Sequence, residues 1–412
     1  MAIFPSTAAK IQAETLRVVK LRPNKKAPCV LISGYYGFGN CGDEAVLLAV
    51  IQCLKKLKPD VCITVLSNTP AVTKTLYDVN AVQRWNPISI ILATISCDML
   101  ISGGGSLLQD VTSSKSLLYY LAVIKCALFL KKKVFIYSQG IGPLSGERNR
   151  SRVARVFNRC SDITVRDKRS AELLSQSGVR QAVSVTSDPV MALTREDIDN
   201  RAVEQDKPLL IAIIRPWADN QHIAPIADFL DAQVLNGWDV MLVPAYYEQD
   251  IDVLIGIGRL MAQQHHILEE KLTAREFIML ISSANCVLSM RLHGLICAMA
   301  MEIPMLALSY DPKVEAFMEQ AKLGQFCFKY DQFNREVAES IMFDPDALVM
   351  FDNYDNSYIS DGAPYNVNDS DRLSITSHIS MQKNNARRLE MHAQAWNTAK
   401  KAVAVLDHLR TS

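Results

Sequence analysis

From residue 29 onward, the chain alternates short apolar runs with longer segments of helical character, and this alternation restricts the possible folds more than any other feature. Short apolar runs separated by helices are typical of parallel strands that are buried on both faces of a sheet. The first set of runs comprises residues 29–33, 61–66, 98–102, 134–138, 163–165 and 183–186. The sequence therefore predicts an α/β domain built on a doubly wound, mostly parallel sheet.

A second set of apolar runs follows a change in composition. Residues 194–207 (TREDIDNRAVEQDK) are polar and charged and show no strand pattern, so we predict an interdomain linker there. The later runs are residues 209–214, 240–243, 286–290 and 305–309. We therefore expect two Rossmann-like domains, at 29–193 and 208–412, in the GT-B-like arrangement, which places the active site in the interdomain cleft.

Two segments depart from this plan. Residues 1–28 form a basic N-terminal extension with six basic side chains against one acid, Glu14. Such a segment is either a solvated tail or a peripheral contact with an anionic membrane surface. Residues 345–385 are rich in Asp, Asn, Ser and Tyr, which predicts a polar surface insertion, and a final helix is expected at about 382–409.

Composition excludes several functions. The formal net charge is +1 and no stripe of aromatic and arginine residues occurs, so we expect no nucleic-acid partner. The ten cysteines include no CxxC pair and the seven histidines show no zinc-ligand spacing, so we expect reduced thiols, no metal and no cofactor. The start lacks the apolar segment of a secretory signal, and residues 117–130 are too short for a membrane span of about 20 residues. These features predict a cytoplasmic protein.

Glycine-rich segments follow three of the expected strands. The first reads GYYGFGNCGDE from residue 34, and Gly37, Gly39 and Asn40 are its candidate ligand contacts. Glycine permits a close backbone approach, and the helix that follows directs its free N–H groups toward the same place. The segment matches neither the dinucleotide fingerprint nor the P-loop. Asp43 and Glu44 suit the first turn of that helix, where acids stabilise a helix start.

The second and third glycine segments strengthen the case for a site. The second is SGGGS, in which Gly103, Gly104 and Gly105 are candidate ligand contacts, although a tight structural turn is the alternative. The third is SQGIGPL, which places Gln139 beside the other two segments. Because ligands of open α/β sheets bind at the carboxyl ends of the strands, all three segments are expected along one edge of the first sheet.

Four charged side chains lie at further strand ends. Arg166 ends the run at 163–165 and could bind a carboxylate or phosphate, or simply pair with Asp167. In the second half, SMRLHG places Arg291 and His293 at a strand–helix junction, where a histidine can transfer a proton near neutral pH. Lys313 follows the strand at 305–309, where it can meet an anion at the same edge.

Six segments, taken in order and spacing, resemble the polysaccharide pyruvyl transferase family. They are GYYGFGNCGDEAVL, ISGGGSLLQD, SQGIGPL, TVRDKRS, SMRLHGL and ALSYDPKV, and the resemblance covers about residues 29–330. The likeness is greatest to the branch called CsaB, which pyruvylates sugars of cell-wall polymers. The basic start and the polar insertion do not match the family core.

The resemblance implies a phosphoenolpyruvate-dependent transferase with a GT-B-like fold. Such an enzyme forms a cyclic pyruvate ketal across two hydroxyls of a sugar acceptor, which can be lipid-linked, and releases phosphate. The family's donor-binding and catalytic residues match Arg166, Arg291, His293 and Lys313. The two arginines and the lysine suit the carboxylate and phosphate of phosphoenolpyruvate. His293 then has three candidate proton transfers, which involve the enol methylene, the leaving phosphate or the sugar hydroxyl.

Two other functions fit the same element order. A GT-B nucleotide-sugar glycosyltransferase would use Arg291 and Lys313 on the phosphates of a UDP- or GDP-sugar and would be indifferent to phosphoenolpyruvate. A module that binds a sugar or a partner without turnover would keep the fold and lose the chemistry. The presence of all four charged residues favours an enzyme over such a module.

Overall fold

The computed structural model describes residues 27–110, 114–198, 206–342 and 369–411. The chain divides into two compact units. The first contains the described residues up to Asp197, the segment Leu272–Phe277 and the end of the chain from Met391. The second contains the described residues of 198–271 and 278–390. The expected domain boundaries placed 272–277 and everything after 390 in the second domain, whereas these two segments belong with the first.

A seven-stranded parallel sheet forms the centre of the first unit, in the order β3-β2-β1-β4-β5-β6-β7. Its strands are β1 Cys29–Ser33, β2 Cys62–Ser67, β3 Asn80–Gln83, β4 Met99–Gly103, β5 Lys133–Gln139, β6 Asp162–Val165 and β7 Val183–Val185. Strand β1 is buried along its whole length, as expected for a central strand that is covered on both faces.

Helices connect these strands in the doubly wound manner. They are α1 Cys41–Leu57, α2 Pro70–Tyr77, α3 Pro87–Ser96, α4 Ser114–Phe129, α5 Glu147–Phe157, α6 Lys168–Gln176 and α7 Arg195–Ile198. One face of the sheet packs against α3, α4 and α5 in a single apolar core that contains Leu100, Ala93, Leu121 and Phe157. Asn86 caps α3 by accepting from the Ile88 N–H (3.0 Å), and Pro87 occupies its first position.

The second unit repeats the same design with six parallel strands in the order β10-β9-β8-β11-β12-β13. The strands are β8 Leu209–Ile213, β9 Asp239–Leu242, β10 His266–Ile267, β11 Cys286–Ser289, β12 Met305–Ser309 and β13 Cys327–Lys329. The helices are α8 Ile223–Leu235, α9 Tyr247–Leu260, α10 Ala274–Ser282, α11 Leu292–Ala300, α12 Pro312–Gln320 and α13 Arg335–Met342, of which α10 begins with residues of the first unit and ends in the second. In both units the first strand lies between the second and the fourth, which is the Rossmann order.

The last helix, α14 Asp369–Thr411, begins in the second unit and ends in the first. Its buried positions from Met391 onward recur at helical spacing and include Ala395, Ala399 and Ala402. The Thr398 hydroxyl lies 2.8 Å from that of Thr186, just beyond β7. This helix starts before the expected position at 382, so part of the expected insertion at 345–385 is helical.

Some expectations fall on residues outside the described part of the chain. They are most of the basic extension at 1–28, residues 199–205 of the linker and residues 343–368 of the polar insertion. Strands β3, β10 and β13 and helices α2 and α3 add to the elements expected from the sequence. Within the residues that the structure describes, no helix is both long and apolar enough to cross a membrane.

Candidate active site

The first glycine segment leaves β1 at the point where the strand order reverses, which is where open α/β sheets bind ligands. Gly37 and Gly39 have φ values of +80° and +75°, a region that favours glycine. A Cβ at Gly37 would lie 2.6 Å from the Thr69 backbone nitrogen, whereas one at Gly39 would meet open space. Asn40 is the N-cap of α1 and accepts from the Gly42 N–H (3.1 Å). Its side-chain oxygen therefore has a structural role.

Glu44 fixes the shape of this segment from inside the protein. Its carboxylate accepts the Gly37 N–H (2.6 Å) through Oε1 and the Tyr77 hydroxyl (2.7 Å) through Oε2. Burial raises the pKa of Glu44, and these two hydrogen bonds oppose that shift. The acid was expected to stabilise the start of α1. It lies in the first turn of that helix and also holds the segment that precedes it.

The second glycine segment lies directly against the first. The Tyr36 hydroxyl donates to the Gly103 carbonyl oxygen (3.1 Å). Gly104 and Gly105 have φ values of +57° and +71°. A Cβ at Gly104 would overlap the Val46 side chain of α1, and one at Gly105 would lie 2.7 Å from Asp43 Oδ1. These glycines allow a close approach to the start of α1, so the tight structural turn is present, and a ligand contact remains a prediction.

Gln139 and Arg166 join the same edge from β5 and β6. Gln139 is fully buried and donates through Nε2 to the Ser102 hydroxyl (2.8 Å), while its Oε1 has no partner among the described residues. Arg166 donates to the Ser106 hydroxyl (2.9 Å) and pairs with the buried Asp188 at 3.4 Å. The Arg166 guanidinium is therefore held at the second glycine segment rather than directed at bulk solvent.

Asp110 connects the second and third glycine segments. Its carboxylate accepts the Ser145 N–H (2.9 Å), the Ser145 hydroxyl (2.8 Å) and the Asn149 amide (2.9 Å). Burial would raise the pKa of Asp110, but these hydrogen bonds outweigh it and lower the pKa to about 2. The side chain thus stays ionised and holds the turn after β5 against the turn after β4.

In the second unit, Arg291 follows β11 and is already paired with a carboxylate. Its Nε donates to Asp250 Oδ2 (3.2 Å), its NH2 pairs with Asp250 Oδ1, and the same NH2 donates to Gln249 Oε1 (3.3 Å). Asp250 lies in the first turn of α9 and is completely buried. Two of the donor groups that could bind an anion are therefore already engaged, which the sequence alone did not indicate.

His293 and Lys313 occupy equivalent positions on neighbouring elements. Each is the second residue of a helix, His293 in α11 after β11 and Lys313 in α12 after β12. The first turn of a helix presents free backbone N–H groups and a partial positive charge, which favour an anion. Lys313 Nζ lies 3.1 Å from Asp311 Oδ2, and both side chains are about one third exposed. Lys313 is thus accessible from solvent.

Arg215 is a further charged residue of this edge that the sequence reasoning missed. It follows β8, which lies beside β11 in the sheet, and its NH1 donates to the Tyr310 hydroxyl (2.9 Å). The guanidinium also lies 5.5 Å from the Trp217 ring centre. Since Tyr310 follows β12, this hydrogen bond spans the end of β11, from which Arg291 and His293 project. Arg215 directly follows the apolar run at 209–214, and a charged residue at the end of a predicted strand is a signal that could have identified it.

A second missed feature is Arg84, which follows β3 and is almost completely buried. It donates to the Gly34 carbonyl oxygen (2.7 Å) and to the Tyr120 hydroxyl (3.2 Å). Five aromatic rings have their centres within about 6 Å of the guanidinium, which suits cation–π attraction. They belong to Tyr35, Phe38, Trp85, Tyr119 and Tyr120. Arg84 therefore anchors the first glycine segment to α4.

The structure groups the candidates into two sets. The contacts among the three glycine segments bring Gly37, Gly103, Gly104, Gly105, Gln139 and Arg166 to one edge of the first sheet. Arg291, His293 and Lys313 lie at the corresponding edge of the second sheet, together with Arg215. Among the described residues, no cluster of three His, Cys, Asp or Glu side chains could hold a metal ion.

Several solved structures share this fold at low sequence identity. UDP-GlcNAc 2-epimerase from Neisseria meningitidis, bound to UDP-GlcNAc, has a TM-score of 0.54 at 14% identity and covers 92% of this chain and 99% of its own. The UDP-GlcNAc 2-epimerase from Methanocaldococcus jannaschii has a TM-score of 0.53 at 12% identity and covers 76% of this chain and 90% of its own. A glycosyltransferase from Rickettsia africae ESF-5 has a TM-score of 0.52 at 13% identity and covers 93% of this chain and 99% of its own. The fold class is therefore the GT-B-like α/β class, as the order of elements predicted.

Sequence comparison narrows this class to a family. The profile of the polysaccharide pyruvyl transferase family matches residues 40–312, well over half of the chain, and the chain belongs to this family. The amylovoran biosynthesis protein AmsJ of Erwinia amylovora is 21% identical over 363 residues, covering 72% of this chain and 86% of that protein. The expected family is thus confirmed, and the chain is a transferase of polysaccharide biosynthesis.

Proposed function

We propose that the chain transfers the pyruvyl group of phosphoenolpyruvate to two hydroxyls of one sugar residue and forms a cyclic ketal. The family match at residues 40–312 carries this proposal, because it includes Arg166, Arg291 and His293, and Lys313 follows it directly. The catalytic groups proposed are His293, Arg166 and Arg291. Lys313, Gly37, Gly39, Asn40, Gly103, Gly104, Gly105 and Gln139 are proposed to contact substrate.

The donor carries a carboxylate and a phosphate, and the second unit offers matching groups. Lys313 is partly exposed and supplies a compact positive charge at the start of α12. Arg291 supplies a planar fork, although Asp250 occupies part of it. Arg215, which contacts no described carboxylate within 4.0 Å, adds a third cation beside the same strands. A phosphate at the ends of β11 and β12 would therefore meet these cations and the start of α11, whereas Asp311 already caps the start of α12 by accepting the Lys313 N–H (3.0 Å).

The reaction requires balanced proton transfers, which His293 can mediate. The first sugar hydroxyl adds to C2 of the donor while a proton reaches the C3 methylene, which becomes the methyl group. The second hydroxyl then replaces phosphate at C2 and releases its own proton to the leaving group or the base. The two hydroxyl protons thus end on the methyl carbon and on phosphate. His293, at the start of α11, is the proposed acid or base.

The acceptor is proposed to be a sugar of a cell-wall or extracellular polysaccharide, as in the CsaB-like branch, and to be lipid-linked while it is modified. We further propose that the enzyme acts in the cytoplasm at the inner membrane face, with no cofactor besides its donor substrate. The basic segment at 1–28, most of which lies outside the described residues, would contribute peripheral membrane contact through its charge.

Phosphate release from phosphoenolpyruvate tests the proposal most directly. The full-length chain would be assayed with and without a panel of N-acetylhexosamine acceptors, and the product would be examined by mass spectrometry for the ketal. The proposal expects acceptor-dependent release of phosphate. Consumption of a UDP- or GDP-sugar, with no response to phosphoenolpyruvate, would instead identify a nucleotide-sugar glycosyltransferase.

A further inference from the structure

Two neighbouring helices of the first unit expose large apolar side chains to solvent. Helix α3 exposes Ile88, Ile91 and Ile95, which are between 38% and 51% accessible. Helix α4 exposes Leu118 and, at its end, Phe129, and Trp85 lies exposed just before α3. The three isoleucines recur at helical spacing, so they form one stripe along α3. Such a contiguous apolar surface marks an interaction site more often than scattered single residues do.

Contacts at both ends join α3 to α4 and to the residues that follow it. At one end, the Trp85 and Tyr119 rings lie 5.1 Å apart and join the start of α3 to α4. At the other end, Lys132 Nζ donates to the Ile95 carbonyl oxygen (2.8 Å), which joins the end of α3 to the residues after α4. The opposite sides of both helices are buried in the same apolar core. We call this surface, formed by the outer sides of α3 and α4, the α3–α4 face.

The charge of this region is strongly asymmetric. Residues 84–133, which include both helices, contain five lysines and the buried Arg84 but only two acidic side chains, Asp98 and Asp110. Both acids lie outside the two helices, where Asp98 accepts the Cys29 N–H (2.8 Å) and Asp110 joins the glycine segments. The sequences of α3 and α4 contain no acid. Lys115 and Lys125 are the exposed lysines of α4, and two further exposed lysines, Lys131 and Lys133, follow the end of that helix.

We propose that the α3–α4 face binds the surface of an anionic phospholipid membrane. Apolar side chains interleaved with lysines on helices that lie in the interface plane are the pattern of peripheral membrane binding. The lysines would attract the anionic headgroups, and Trp85 has the amphipathic ring that is favoured at the level of the headgroups. A second copy of the chain fits this face less well, because a symmetric contact would bring the same lysines together.

This inference concerns binding alone and does not depend on pyruvyl transfer. It adds a surface that is distinct from the basic segment at 1–28, because its residues lie on the folded first unit. The amino ends of α3 and α4 lie at the same sheet edge as the glycine segments. A sugar carried on a membrane lipid would therefore approach that edge from the proposed membrane side.

Vesicle co-sedimentation of the full-length chain tests the proposal. Vesicles of phosphatidylglycerol and phosphatidylcholine are compared with vesicles of phosphatidylcholine alone, at low and high salt. Replacing Lys115 and Lys125 by Gln should weaken binding to the anionic vesicles by about 25-fold, at about fivefold per lysine. The double variant Ile91→Gln and Ile95→Gln should weaken it by about tenfold.

A matched control lies on helix α2. Val72 and Leu76 are exposed to a similar extent as Ile91 and Ile95, but α2 packs against α1 through the bond from Tyr77 to Glu44. The double variant Val72→Gln and Leu76→Gln should therefore bind vesicles as the unchanged chain does. Thermal unfolding checks that each variant folds. Phosphate release with a water-soluble acceptor is measured separately, so that loss of membrane binding is distinguished from loss of activity.

Three results would overturn the proposal. The first is equal vesicle binding by the unchanged chain and both α3–α4 variants, which would place binding elsewhere, for example at residues 1–28. The second is the absence of binding to anionic vesicles. The third is concentration-dependent self-association in sedimentation velocity that the Ile91 and Ile95 variant abolishes, which would make the face a protein interface.

Discussion

Arg291 and Asp250 form a two-point ion pair at the end of β11, in which the arginine Nε lies 3.2 Å from Asp250 Oδ2 and NH2 contacts Oδ1. Asp250 is fully buried and also accepts the Tyr246 N–H (2.9 Å) at the start of α9. The carboxylate therefore fixes the direction of the guanidinium before any substrate arrives. It also reduces the net charge that Arg291 can offer to an anion.

Removal of Asp250 should cost much of the stability of the second unit. Asp250→Ala leaves the Arg291 charge without its buried partner, and such losses cost about 3–5 kcal/mol. Urea unfolding measures the change. The control is Glu248→Ala, because Glu248 pairs with Lys271 at a site where both side chains are about half exposed or more. That change should cost less than about 1 kcal/mol. Equal losses in the two variants would show that the buried pair does not stabilise the fold.

Replacement of His293 should slow the reaction more than it weakens donor binding. General acid–base catalysis contributes about 10²–10⁴ in rate, so His293→Gln should lower kcat by about that factor. Phosphate release gives kcat and calorimetry gives the affinity for phosphoenolpyruvate, with His265→Gln as the control. A parallel loss of affinity would shift the role toward electrostatic stabilisation of phosphate. An unchanged kcat would remove His293 from the mechanism.

Replacement of the anion-binding residues should weaken donor binding at least as much as it slows the reaction. Lys313→Ala should weaken phosphoenolpyruvate binding by about tenfold or more, because it removes an accessible charge-assisted contact. Arg166→Lys keeps the charge but loses the fork that joins Ser106 and Asp188, so it should restore little of the function of the arginine. Calorimetric donor affinities are compared with that of Lys74→Ala, which lies on α2. Unchanged affinity in both site variants would exclude this donor site.

The buried Glu44 should make stability depend on pH in a direction that is unusual for an acid. Its pKa is raised above 4.5 in the folded chain, so the folded state binds the proton more tightly than the unfolded state. Stability is therefore lost as pH rises from 4.5 through the folded pKa. Glu44→Gln keeps an acceptor for the Gly37 N–H and removes this dependence. As pH rises from 4 to 8, the free energy of unfolding of the variant should therefore increase relative to that of the unchanged chain.

Glu248 supplies the control with the opposite sign. The hydrogen bond from Lys271 lowers the pKa of Glu248, so its contribution to stability is lost as pH falls. The loss of unfolding free energy caused by Glu248→Gln, relative to the unchanged chain, should therefore be largest above pH 5 and smallest near pH 3. Parallel pH profiles for the Glu44 and Glu248 variants would contradict the raised pKa of Glu44.

Local sequence patterns were sufficient to predict the two sheets, but not all of the helices that pack against them. Strands β1 and β12 have the predicted bounds because each is a continuous apolar run. Helix α3 was missed because its exposed isoleucines obscure the usual two-sided pattern, although Asn86 and Pro87 form a recognisable helix start. The end of α14 was assigned to the wrong unit, since Thr398 meets Thr186 across 212 residues of sequence.

For the candidate site, the positions of the residues could be predicted from the sequence, whereas their contact partners could not. Glycine segments and charged residues at strand ends can be found from sequence because parallel strands bring their carboxyl ends together. The partner of Arg291 could not be found, because Asp250 lies 41 residues away on a helix whose rotation depends on packing. The same holds for the aromatic rings around Arg84, which come from three separate stretches of chain.

The buried thiols give each unit its own reporter of opening. No disulfide involves any of the ten cysteines, and burial raises the pKa of Cys53, Cys97 and Cys160 in the first unit and of Cys286 in the second to about 12. A thiol of that pKa is almost entirely protonated at pH 8, and the thiolate is the form that reacts with alkylating reagents. Alkylation must therefore wait for local unfolding. Peptide mass spectrometry after timed alkylation would read the opening rates of the two units separately within a single unlabelled sample.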